Sequence, residues 1–88
     1  LTTRFSTKKQ ALGVGLFYAG SKQNVRDLKV ARVEKMKNPP FADDKDAFDV
    51  EIYEIEGAKG KVELGIQKCD NTFFLWLIDS ESGFSTRV

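Results

Sequence analysis

The second half of the chain alternates. In FDVEIYEIEG, Phe48, Val50 and Ile52 fall on one side and Asp49, Glu51 and Tyr53 on the other. That is the two-residue period of a half-buried strand. EGAKGK then breaks the pattern, with Gly57 and Gly60 placed for a tight turn. KVELGIQK alternates again, setting Val62, Leu64 and Ile66 against Lys61, Glu63 and Gln67. CDN punctuates, and TFFLWLID is apolar on both sides: Phe73, Leu75 and Leu77 one way, Phe74, Trp76 and Ile78 the other. A strand apolar on both faces belongs in the middle of a sheet. DSESG reads as a turn and FSTRV as a short edge strand. Together these predict an antiparallel meander of three or four strands.

The first half is less regular. QALGVGLFYAG sets Leu12, Val14, Leu16 and Tyr18 against Gly13, Gly15 and Phe17, which predicts another strand. NVRDLKVARVEKMKNPP supports two readings. Asn24 as a cap, Asp27 three residues later and Pro39 as a stop suit a helix. Val25, Val30 and Val33 are β-branched, and the apolar positions wrap too far round a cylinder, which suits a strand. The strand is preferred. The expected fold is mainly β: one small domain over residues 1–88, an antiparallel meander of five to six strands closed as a barrel or sandwich. The alternative is α+β, one helix at about 24–37 packed on a four-stranded antiparallel sheet.

Composition narrows the chemistry. The chain has 88 residues, enough to bury about 60–65% of its unfolded surface. Its ten aromatics are the natural core material. No apolar run approaches the roughly 18–20 residues of a membrane-spanning helix. The start, LTTRFSTKKQ, lacks both an initiator Met and the apolar core of a signal peptide, and is read as belonging to a processed chain or an excised domain. There is no histidine, which removes the commonest general base, the commonest zinc ligand and every Ser–His or Cys–His pair. Cys69 is the single cysteine, so no internal disulfide forms. A small secreted domain is usually stapled, so a cytoplasmic or other reducing compartment is expected. KCD offers the thiol only Lys68 and Asp70 as neighbours, and Cys69 is read as a small residue at a strand end.

Two glycine patterns fail. A dinucleotide fingerprint starting at Gly13 needs glycine where Tyr18 stands. A P-loop spanning Gly15 to Gly20 needs Lys before Ser or Thr, and the order is Ser21-Lys22. An enzyme is not expected, and no cofactor is indicated.

Charge then divides the chain. Residues 1–38 hold nine Lys or Arg and two acids; residues 39–88 hold five and eleven. The overall charge of +1 hides this contrast. If 28–37 pairs with 48–56, Lys29, Lys35 and Lys37 lie across from Asp49, Glu51, Glu54 and Glu56, and the charges answer one another across strands. If they do not pair, Arg26, Lys29, Arg32, Lys35 and Lys37 form a basic face suited to phosphates, with Phe17 and Tyr18 near Lys22 and Arg26 as stacking groups. At the seam, KMKNPPFADDKDAFD places Asp43, Asp44, Asp46 and Asp49 close together. A calcium loop counted from Asp44 needs Gly at its sixth position and Glu at its twelfth, and finds Asp49 and Ile55. No metal site is assigned. Pro39, Pro40 and Phe41 make a stiff segment that can present an aromatic anchor, with Asp43, Asp44 and Asp46 as a polar rim. The expected function is a non-catalytic module that binds another protein through the acidic 38–47 loop and a strand edge. The rival is a nucleic-acid-binding module using the five basic residues. The oligomeric state is not legible.

Overall fold

The computed structural model describes residues 3–36 and 47–88. Helix α1 covers Lys8–Ala19, and five strands follow: β1 Arg32–Met36, β2 Phe48–Gly57, β3 Gly60–Cys69, β4 Thr72–Ile78 and β5 Ser85–Arg87. The strands form one antiparallel sheet in chain order. The meander over the second half is as the alternation predicts, including the FSTRV edge strand. The sheet stays open rather than closing as a barrel or sandwich, and one helix packs on it, which is the α+β alternative.

The helix is not where the sequence reading put it. Residues 24–37 were expected as one strand or one helix. The described ones hold a single 3-10 turn, Val25–Asp27, and then β1, so the preferred strand is found over Arg32–Met36 and the helix is not. Residues 10–20, expected as a strand, run through α1 to its C-terminal cap at Gly20. Its ends explain why. Thr7 caps the helix, its hydroxyl accepting the Gln10 N–H at 3.1 Å, while the Gln10 side chain accepts the Ser6 N–H at 3.2 Å. TKKQ has the capping-box sequence, with the return bond made to the residue before the cap. At the other end Gly20 takes φ +68°, and its N–H turns back to Leu16 and Phe17. Between them Ala11, Leu12, Gly15 and Leu16 are buried, one stripe at helical spacing.

That stripe lies on one face of the sheet, against Tyr53, Ile55, Leu64, Ile66 and Leu75, with Phe5 beside them. Gly15 permits the close approach: a Cβ there would come within 2.7 Å of Leu64 and 3.1 Å of Leu75. Val25 and Leu28 pack alongside this core from the 3-10 turn. The helix end is tied to the β2–β3 hairpin by the Ala58 N–H, which donates to the Ala19 carbonyl at 2.8 Å. The opposite face has a smaller cluster: Val50, Ile52 and Trp76, with Met36, Phe48 and Ile78 packed against them. Trp76 stands across from Gly65, its indole N–H donates to Gln67 at 3.3 Å, and the Arg87 guanidinium lies 5.6 Å above its ring. Phe5 bridges to Phe73 through two backbone bonds of 2.9 Å, and the Thr3 N–H donates to the Val88 carbonyl at 3.0 Å. No described helix is long and apolar enough to cross a membrane.

Candidate functional site

The basic candidates do not converge. Arg26 lies in the 3-10 turn, Lys29 in the stretch after it, and Arg32 and Lys35 in β1, whose alternation sends them to opposite faces. Arg32 is engaged. It spans β2 to reach Glu63 on β3 with two bonds of 2.6 and 2.9 Å, and Glu34 and Glu54 lie on its other sides. The Glu63 side chain is only 12% exposed. The hydrogen bonds it donates to Glu63 and Glu34 push the Arg32 pKa up, so the guanidinium is charged at any ordinary pH. Lys35 meets Asp49 at 2.9 Å, directly across the β1–β2 ladder. Lys8 at the start of α1 meets Glu51 at 2.7 Å. The cross-strand reading of the charge division is found in part: β1 pairs with β2 and Lys35 meets Asp49, while Lys29 makes no ion pair among the described residues. Lys37, Pro39, Pro40, Phe41, Asp43, Asp44 and Asp46 lie outside the described residues. Among the described residues no group of acids, Cys or His is placed to hold a metal ion.

What the structure reveals instead is an apolar groove that the sequence reading missed. It lies between the C-terminal half of α1 and the β3–β4–β5 end of the sheet, with a volume of about 350 Å³. Its floor is Val62, Leu64, Leu77 and Thr86, and its walls include Tyr18 and Phe84. Asymmetric coverage creates it. On the β1–β2 side of the helix Val25 and Leu28 fill the space, whereas towards β5 no described element does so. Tyr18 is 58% exposed and Phe84 78% exposed. Phe17, one of the aromatics read as core material, is 81% exposed because it lies opposite the buried stripe, while Tyr18 flanks that stripe beside the groove. The pair itself was the missed signal. Adjacent aromatics on a helix diverge by about 100°, so at most one can join a narrow buried stripe.

Phe84 is held out by the β4–β5 turn. The Asp79 carbonyl accepts the Gly83 N–H at 2.8 Å, and the Asp79 N–H donates to the Phe84 carbonyl at 2.8 Å. The Asp79 carboxylate accepts the Glu81 N–H at 2.9 Å. That bond and one from Ser82 hold its pKa below the usual aspartate value, so the turn keeps its negative charge. No family model, curated protein or solved structure matches the chain. The functional reading rests on this geometry alone.

The groove has no pair of facing carboxylates for acid–base work. Asp79 is committed to its own turn, and Glu63 is held by Arg32. A larger hollow at the other end of the helix, about 640 Å³, includes Lys8, Asp49, Glu51 and Lys68 in its lining. Its charges answer each other, as the Lys8–Glu51 pair shows. Beneath it Tyr53 is buried, which raises its pKa, and Glu51 adds to that rise. The groove offers shape and apolar surface, which suit binding.

Proposed function

We propose that the chain is a non-catalytic protein-binding module, and that its partner enters the groove between α1 and β5. One observation carries this reading: two large aromatics, Tyr18 and Phe84, stand exposed on either side of an apolar floor. Aromatic anchors around an apolar depression are the typical centre of a protein interface. The strand edge is a weaker dock. β1 is five residues long and exposes Arg32, Glu34 and Lys35, the charged short edge that discourages strand addition. The nucleic-acid alternative is less favoured, because Arg32 and Lys35 already meet carboxylates.

The test is a displayed-peptide selection on the intact chain. Peptides selected on the wild type should lose about tenfold or more in affinity for Tyr18→Ser/Phe84→Ser. Both residues are exposed, so the variant should keep its melting temperature within a few degrees. Selected peptides that bind the double variant equally well would refute the groove as the site. Salt-sensitive binding of a single-stranded oligonucleotide, abolished by Arg26→Glu/Lys29→Glu, would instead put the basic segment first.

A further inference from the structure

The geometry points to an amphipathic α-helix, with a lysine or arginine at one end of its apolar stripe, as the occupant of the groove. This rests on the protein-binding reading above and names the kind of partner.

The first argument concerns hydrogen bonds. The floor is a sheet face, not an edge. At Leu77 and Ile78, β4 is paired on both sides, to Leu64 and Glu63 on β3 and to Thr86 and Ser85 on β5. The main-chain donors and acceptors there are already used. An extended peptide laid along β4 would find nothing to satisfy its own backbone, and the open edge of β5 is only three residues long. A helix closes its backbone bonds internally and brings only side chains to the surface. The chain already uses this solution on the adjoining strip, where Leu12 and Leu16 of α1 cover Leu64 and Leu75. A second helix beside α1 would extend the same layer over Val62, Leu77 and Thr86.

The second argument is charge complementarity. Two acids border the groove: Asp79, and Glu63 through its main chain, its carboxylate lying on the opposite face with Arg32; neither lysine nor arginine borders it. Glu81 follows in the same turn, is exposed, and has no ion pair among the described residues. With Glu63 answered by Arg32, the unanswered charge is at the β4–β5 turn, beside Phe84. A cationic side chain at the end of an apolar stripe meets Asp79 and Glu81 while the stripe lies on the floor.

The experiment uses dye-labelled peptides of about sixteen residues, long enough to form helix on contact. One carries leucines at i, i+3, i+4 and i+7 with lysines at its ends. A second replaces the lysines with glutamates. A third scrambles the first so that the stripe is lost. Fluorescence anisotropy with the intact chain should show the lysine peptide binding, the scrambled one about tenfold weaker, and the glutamate one about fivefold weaker. Glu81→Lys, which leaves the Asp79 clasp in place, should reverse the preference between lysine and glutamate forms. Tyr18→Ser/Phe84→Ser should weaken the lysine peptide about tenfold. Equal binding of striped and scrambled peptides, or of both charge forms, would overturn the inference. So would a lysine peptide that fails to bind, or an apolar dye held in the groove that no peptide displaces. The protein-binding reading would outlive that failure if selected peptides still depended on Tyr18 and Phe84 without gaining helical circular dichroism. It would fall too if they ignored both residues.

Discussion

Gly13 and Gly15 stand two positions apart in α1 and call for opposite outcomes. A Cβ on Gly13 would sit 3.9 Å from Val25, an ordinary contact. Gly13→Ala should therefore keep the helix-propensity gain of about 0.8–1 kcal/mol and raise the melting temperature by roughly 4–8 °C. A Cβ on Gly15 would meet Leu64 and Leu75, both fully buried, at 2.7–3.1 Å. Overpacking costs about 1–3 kcal/mol, which exceeds the propensity gain, so Gly15→Ala should lower the melting temperature. Thermal unfolding of the two variants side by side decides the matter; a rise in both would mean the helix is not seated as closely as described. Tyr53 makes a second prediction at this scale. Burial raises its pKa, and the hydrogen bond that Lys8 donates to Glu51 raises that of Lys8. Both groups hold their protons more firmly in the folded state than in the unfolded one. Their contribution is thus complete below about pH 10 and is lost as pH rises through their folded values. The urea midpoint should fall as pH rises above about 10, and Tyr53→Phe should make that fall shallower. An unchanged slope would remove Tyr53 from the alkaline transition.

Among elements, β1 depends on side chains as well as on its ladder. It is five residues long and mostly exposed, and Arg32 ties it past β2 to Glu63 on β3. A lysine can supply the charge but not the two-pronged grip. Arg32→Lys should lower the urea midpoint, Arg32→Met should lower it further, and the differences should shrink in about 1 M salt. Equal midpoints for Arg and Lys would show that the paired geometry contributes nothing. What was legible in the sequence follows the same division. In sequence β2 and β3 alternate apolar with polar residues over most of their length and β4 is apolar on both faces, so Val50, Ile52, Leu64, Ile66 and Leu75 announced themselves. In α1 the buried stripe contains Ala11 and Gly15, and the largest side chains, Phe17 and Tyr18, are outside. Apolar periodicity weighs size, so it found an alternation of Leu12, Val14 and Leu16 and named a strand. The TKKQ cap and Gly20 were the stronger signals, because they answer the unsatisfied N–H and C=O groups that any helix must settle. The groove was not legible for a different reason. It exists because one side of a helix is covered and the other is not, and no local pattern encodes that.

For the whole molecule, the division of charge along the chain becomes an agreement in space. The near-neutral total is built from local pairs, Lys8 with Glu51, Arg32 with Glu63 and Lys35 with Asp49, which join the first part of the chain to the sheet. Such pairs favour the correct register by penalising like-charge alternatives. The bond from the Thr3 N–H to the Val88 carbonyl has a consequence of another kind. It makes the fold nearly a closed loop, one that returns to its own starting point. Joining residue 88 to residue 3 through a short Gly-Ser bridge and opening the chain between the exposed Ala58 and Lys59 should give a permuted protein with the same circular dichroism and a cooperative melt. For the same reason the unit could be grafted into a surface turn of a host protein through a single narrow stalk, with its groove facing outward and its host undisturbed.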